Sequence, residues 1–326
     1  MKKLQFDWQS PVGRFRVWAL SFRGGITLLC LVGLLLVPMT GREYLAKIVI
    51  TAMILAIFAA SWDLLAGFAG QTSFGHAAFF GISGYFTAAF VKFFGAPWFL
   101  AVFIGASDAV LFSVLIGIPC LRLKGPYLAL GTLAFSLILY NLFLTGSWLG
   151  GTQGISGLPN VGNVFVLFYI IAAFMVASLV VMRAIADSRL GTVLKAIRDD
   201  EVGADAAGIN TTVYKLVAFM VSGFFAGIAG ALFVLDSTAV NPAVYQPLYS
   251  FYAIIMASIG GIATIYGSIV GAFLFQLLSE FLRPLAAASL LIFATLLILI
   301  IRFAEGGVMN PFLGHVQDLW DKIRGR

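Results

Sequence analysis

The sequence predicts an all-α polytopic membrane protein of about 8–10 transmembrane helices, with a broken or re-entrant element near residues 66–78. A charged helical loop is expected on its cytoplasmic side. Three observations carry this prediction. The 326 residues are 61% hydrophobic and 10% charged, where a soluble domain carries roughly 25% charge. Apolar runs of span length recur along the chain, and mean hydropathy is +1.02. The charges are not scattered but gathered between the runs.

Taken in order, the runs place spans at 22–39, 45–65, 77–94, 98–121, 126–146, 164–183, 214–235, 249–265, 267–283 and 286–302. About 20 apolar residues are needed to cross the hydrocarbon as a helix. "SIGGIATIYGS" in the 249–283 region reads equally as a tight hairpin, a re-entrant bend or one kinked helix. Residues 1–21 form a basic amino-terminal arm, 22–303 the membrane domain with its charged loop at 184–213, and 304–326 a tail. Lys2, Lys3, Arg14, Arg16 and Arg23 face Asp7 alone in the first stretch. Basic flanks stay inside, so both termini are expected in the cytoplasm. The loop with Arg122 and Lys124 and the loop from Arg183 to Lys215 then fall on the same side, and the neutral 147–163 loop falls outside.

Net charge of +6 invites a nucleic-acid reading, but the excess sits where an orientation signal belongs. Cys30 and Cys120 lie within apolar runs and imply no disulfide framework. His76 and His315 are too few and too far apart for a metal cluster.

"GFAGQTSFGHAAFFGISGYF" (67–86) is the least ordinary membrane segment. Gly67, Gly70 and Gly75 interrupt a helix that also carries Gln71, Thr72, Ser73 and His76. Non-helical backbone at membrane depth must be buried in protein or line a wet cavity. Free N–H groups at the helix ends there would suit a solute carboxylate. Gln71, Thr72, Ser73 and His76 are therefore expected on a solute path, whereas Gly81, Ser83 and Gly84 read as close packing. Asp63 is expected to face the bundle interior, on a site or as a cap. Asp108 has no evident partner, and Glu280 pairs with Arg283 at helical spacing. In the outer loop, Thr152 and Gln153 stand at a pore entrance or on a plain connector. A faint echo links "GFAGQTSFGHAAFFG" with "IGGIATIYGSIVGAF" (259–273).

The stretch from Arg183 to Lys215 holds ten of the chain's 34 charged residues. Leu190, Val193, Leu194 and Ile197 recur at i, i+3, i+4 and i+7, one side of a helix. Asp187 or Ser188 is placed to cap its start. A second short helix, about Glu201 to Ala207, is expected to stop at Gly208. The stripe either packs on the chain's own spans or docks a cytoplasmic partner.

"GFAGQTSFGHAAFFGISGY", "RLKGPYLALGTLAF", "GGTQGISG" and "GTVLKAIRDDEVGADAAGINTTVYKLVAFMVSGFFAGIAGALF" resemble, in order and spacing, the blocks of bacterial branched-chain amino acid ABC transporter permeases. The likeness runs from about Ile50 to Ile301. It implies an inner-membrane subunit paired with a second related permease, two cytoplasmic ATPases and a periplasmic solute-binding protein. It further implies that this chain binds no cofactor, ATP being used by the partner ATPase, and that the charged loop is the ATPase coupling element. By motif, coupling falls to Arg189, Leu190, Val193, Leu194, Ile197, Arg198 and Glu201, and to Asp205, Ala206, Ala207 and Gly208 of "DAAG". The acidic run Asp199, Asp200 and Glu201 departs from the family pattern at the turn.

Two other functions compete. An ion-coupled secondary transporter or channel would use Asp63 and Asp108, but it leaves the charged loop unexplained. An intramembrane serine protease would use one of the two "GISG" motifs, which requires a base near the serine. His76 lies two helical turns from Ser83, about 10 Å away. No Gly-rich phosphate loop occurs in the chain, so ATP, if it drives transport, is hydrolysed by another chain. The resemblance implies branched-chain amino acids as the solute, with urea, short amides and other amino acids as alternatives.

Overall fold

Apolar runs in lipid satisfy their backbone only internally, which makes them helices. The computed structural model describes residues 33–285, except 124 and 147–149, together with the helical positions 291, 292, 295 and 298. Seven described helices are long and apolar enough to span a bilayer. They are α1 (Glu43–Asp63, prolonged by a wide turn, Leu64–Phe68), α2 (His76–Phe94), α3 (Trp98–Cys120), α4 (Pro126–Thr145), α5 (Val164–Ala186), α8 (Thr211–Ser237) and α10 (Ile265–Leu282). Between α5 and α8 lie α6 (Arg189–Asp199) and α7 (Glu201–Ala206), and α9 (Pro247–Gly260) precedes α10. The first six expected spans within the described residues are met to within a helical turn. The expected span 286–302 and most of 22–39 fall outside the described residues, as do the arm 1–21 and the tail 304–326.

Burial separates central from peripheral helices. In α1 every residue from Ala52 to Asp63 is buried, because α5, α8, α9 and α10 all pack around it. α8 is likewise central, against α2 and α3. Small residues permit this: a Cβ on Gly230 of α8 would collide with the Phe80 carbonyl of α2. The outer helices α3, α4 and α5 leave Leu111, Leu115, Leu130, Ile138 and Val180 exposed, as lipid-facing helices must.

The uncertain 249–283 region proves to be two helices. α9 has 14 residues, which reach about 21 Å against the ~30 Å hydrocarbon thickness. The missing length comes from the extended segment before it. β2 (Ala239–Val240) pairs antiparallel with β1 (Ile155–Ser156) in the 150–163 loop. The chain then runs through a short 3₁₀ turn, Pro242–Tyr245, into the bundle. There the Ser136 hydroxyl of α4 donates to the Tyr245 carbonyl at 2.7 Å. A Cβ on Gly81 of α2 would lie 2.5 Å from the Tyr245 ring. Residues 239–260 therefore cross as extended chain followed by half a helix. The expected span 249–265 is thus a shorter helix preceded by a chain segment that also enters the bundle.

The crossings give the molecule two faces. One carries the start of α1, the 150–163 loop and the end of α8, where Lys47 pairs with Asp236 at 2.7 Å. It also carries the end of α10, where Glu280, Arg283 and Tyr44 meet, the first two at 3.0 Å. The other face carries the end of α1, the α9–α10 turn, the start of α4, and α6 with α7.

Candidate functional site

The α1–α2 break begins where the last turn of α1 widens over Leu64–Phe68. Gly70 then takes φ +68, a left-handed conformation that turns the chain back. Residues 70–75 return alongside α1, fastened at several points. The Trp62 indole donates to the Ser73 carbonyl at 2.8 Å. The backbone N–H of Phe74 donates to the Thr132 hydroxyl of α4 at 3.1 Å, and that of Ala77 to the Ser250 hydroxyl of α9 at 2.8 Å. Two N–H groups expected to be free for a carboxylate thus already have partners.

His76 is wholly buried among Phe58 and Phe79. Its Nε2 lies 2.9 Å from the Ser61 hydroxyl, which itself donates to the Phe58 carbonyl. With that hydroxyl proton committed, Nε2 carries the proton and donates to Ser61 Oγ. Asp63 reaches the second interrupted region: its Oδ1 accepts from the Ala263 N–H at 2.6 Å. A Cβ on Gly67 would lie 2.6 Å from that same nitrogen. The two segments that echo one another in sequence are thus packed together at one point, inside the bundle as expected for Asp63.

α6 lies directly on this break, and α7 packs on α6 and α8. Leu194 and Ile197 are 1% and 2% exposed, with Leu190 and Val193 half-buried, so the apolar stripe packs on the chain's own spans. Arg198 Nη1 donates to the Gly67 carbonyl at 2.8 Å, and the Lys195 ammonium sits 5.3 Å from the Phe68 ring centroid. The acidic run at the turn is fully assigned. Asp199 pairs with Arg198 at 2.8 Å, Asp200 caps α7 by accepting from Gly203 N at 3.0 Å, and Glu201 pairs with Lys215. Ser188 precedes α6 as expected, but its hydroxyl donates to Ile185 O and Asp187 pairs with Arg183. Neither side chain caps the helix. Gly208 ends α7 with φ +86. Arg189, Val202, Asp205, Ala206, Ala207 and Gly208 stay exposed.

The six candidate path residues fall into three places. Ser73 and His76 are buried in the break; Gln71 and Thr72 face a cavity bounded by α4 and α6; Thr152 and Gln153 are exposed on the opposite face. The coupling candidates, by contrast, form one continuous element. Ser83 of the first "GISG" donates to Gly227 O at 2.7 Å and packs α2 against α8. Tyr85 and Tyr245, not singled out from sequence, stack at 5.6 Å inside the bundle. Among the described residues their hydroxyls have no partner. Two prolines flanking Tyr245, Pro242 and Pro247, were the available signal.

A family model described as "Branched-chain amino acid transport system / permease component" matches residues 44–301. The chain is 27% identical to the high-affinity branched-chain amino acid transport system permease protein LivM of Escherichia coli (strain K12) over 288 residues, 79% of this chain and 68% of that one. The Salmonella typhimurium LivM is 26% identical over the same shares. A nucleoside ABC transporter permease protein, NupC of Lactococcus lactis subsp. cremoris, is 24% identical over 42% of this chain and 48% of its own length. No solved structure matches.

Proposed function

The chain belongs to the branched-chain amino acid transport permease family and is a multi-pass subunit of an ABC importer; from that premise we propose that it moves amino acids with uncharged side chains into the cell. A separate ATPase drives the movement, and α6 and α7 transmit it. The observation carrying this reading is the bond from Arg198 to the Gly67 carbonyl, which ties the charged element to the break in α1 rather than to a peripheral helix. In the assembled transporter two ATPases sit beneath α6 and α7, a related permease completes the path, and a periplasmic binding protein delivers solute to the opposite face. Both termini lie on the ATPase side. Gln71, Thr72, Ser73 and His76 belong to the path wall or its support, and Thr152 and Gln153 to its outer mouth.

Alternating access requires that ATP bind one state more tightly than the other, so the exposed residues Arg189, Val202 and Asp205–Gly208 meet the ATPase differently in each. The branched-chain reading draws support from the relatives' names, and the nucleoside permease among them marks the alternative solute class. Co-purification with a tagged ATPase, followed by ATP-driven uptake of L-leucine, L-valine and uridine in proteoliposomes, tests it. Uptake on an ion gradient without any ATPase would instead establish a secondary transporter. Gly208→Pro supplies the coupling test. Proline needs φ near −65°, incompatible with +86, and it removes the N–H that donates to Asp205 O. Nothing lies within 4 Å of a Cβ there, so packing is spared. We expect normal assembly and hydrolysis with uptake at least tenfold lower.

A further inference from the structure

The cavity beside the break has a volume of about 690 Å³, within the ~300–1,000 Å³ usual for small-molecule sites. Its walls come from four elements: the break (Gln71, Thr72), the start of α4 (Leu128, Ala129), the α6–α7 turn (Glu201) and the start of α8 (Lys215). Lys215 is the telling residue. It is 6% exposed, yet among the described residues its ammonium has one ionic partner, Glu201. An ammonium has three N–H donors, and burying donors without acceptors is costly. Glu201, in turn, is only half-buried and keeps acceptor capacity toward the cavity. The Gln71 amide donates to Ala69 O at 3.1 Å, which leaves its carbonyl oxygen as another acceptor.

We propose that this cavity is a binding site for a free zwitterionic amino acid entering from the α6–α7 face. The inference rests on the reading of the chain as an amino-acid permease. Lys215, helped by Arg198, receives the carboxylate; Glu201 and the Gln71 carbonyl receive the ammonium; Leu128, Ala129 and Ile197 enclose an apolar side chain. Walls of both charge signs beside an apolar surface suit a zwitterion better than an inorganic anion or an anionic headgroup, which Glu201 repels. A ligand here touches the break, α4 and the coupling element at once. It therefore favours whichever arrangement of them it binds most tightly, and slows turnover when imported amino acid accumulates.

The test uses the assembled transporter in nanodiscs without its binding protein, with radiolabelled L-leucine as probe and N-acetyl-L-leucine, inorganic phosphate and phosphatidylglycerol as competitors. Saturable L-leucine binding is expected, displaced by L-valine and at least tenfold less well by N-acetyl-L-leucine, which lacks the ammonium. Lys215→Met should weaken binding at least tenfold. Glu201→Gln should erase the preference for leucine over its N-acetyl form, a selectivity change that misfolding would not produce. Ala129→Leu, which fills the cavity without removing a charge, should weaken binding and relieve inhibition of ATP hydrolysis by L-leucine. ATP-driven import by the same complex reports on the functional reading separately. Import without saturable binding overturns the site alone; binding without import keeps the site and overturns the reading. Displacement by phosphate or phosphatidylglycerol but not by L-valine overturns the zwitterion assignment.

Discussion

Two interruptions inside the bundle, after α1 and before α9, are built by different means. After α1 the interruption is polar and small: glycines open the backbone, and Trp62, Thr132 and Ser250 each satisfy one exposed peptide group. Before α9 it is aromatic and proline-bounded: Tyr245 stacks with Tyr85 and Phe143, and Pro242 and Pro247 carry no N–H that would need an acceptor. Buried backbone must be paired or dispensed with; the first segment relies on pairing, and the second combines absent donors with pairs such as Ser136 on the Tyr245 carbonyl. The first can be gripped from outside by a side chain, as Arg198 does. The second is held within the bundle, by ring packing and by the Ser136 hydroxyl of α4 on the Tyr245 carbonyl.

Substitutions can break or sharpen this contrast. The largest loss should follow Tyr245→Ala, which removes a wholly buried ring from the aromatic seal. Phenylalanine-sized truncations cost about 3–5 kcal/mol, measured here by thermal melting in detergent. Asp63→Ala should cost about 1–3 kcal/mol, the penalty of leaving the Ala263 N–H unpaired, and Asp63→Asn should recover most of it by restoring an acceptor. Equal damage from Asn and Ala would mean that the charge, not the hydrogen bond, matters. The smallest effect belongs to Tyr245→Phe. Its hydroxyl has no partner among the described residues, so its removal should leave the melting temperature unchanged or slightly raised. A clear drop would place an unrecognised polar partner within the aromatic seal.

The same contrast explains what could be read in the sequence. Glycines and polar residues between Gly67 and His76 disrupt an apolar pattern visibly, so the first break was legible to within a few residues. The helix around Leu190–Ile197 was legible because its stripe is periodic. Residues 239–246 were not, because prolines beside an asparagine also mark an ordinary surface turn. What the stripe packs against, and the reach of Arg198 to Gly67 across 131 positions, are non-local and leave no trace in spacing. The path candidates scatter for a related reason. Polarity identifies residues that need a partner, but Ser73 and His76 sit wholly buried in their own chain while Gln71 and Thr72 face open space.

In the proposed mechanism, α6 passes force to the break through Arg198. The ratio of ATP hydrolysed to L-leucine imported, compared between wild type and Arg198→Lys in the reconstituted transporter, tests it most directly. Lysine keeps the charge but loses the planar fork that reaches the Gly67 carbonyl and Asp199 together. A ratio raised at least fivefold, with assembly and hydrolysis intact, is the predicted result. An unchanged ratio would contradict the account and leave Arg198 a simple surface bond.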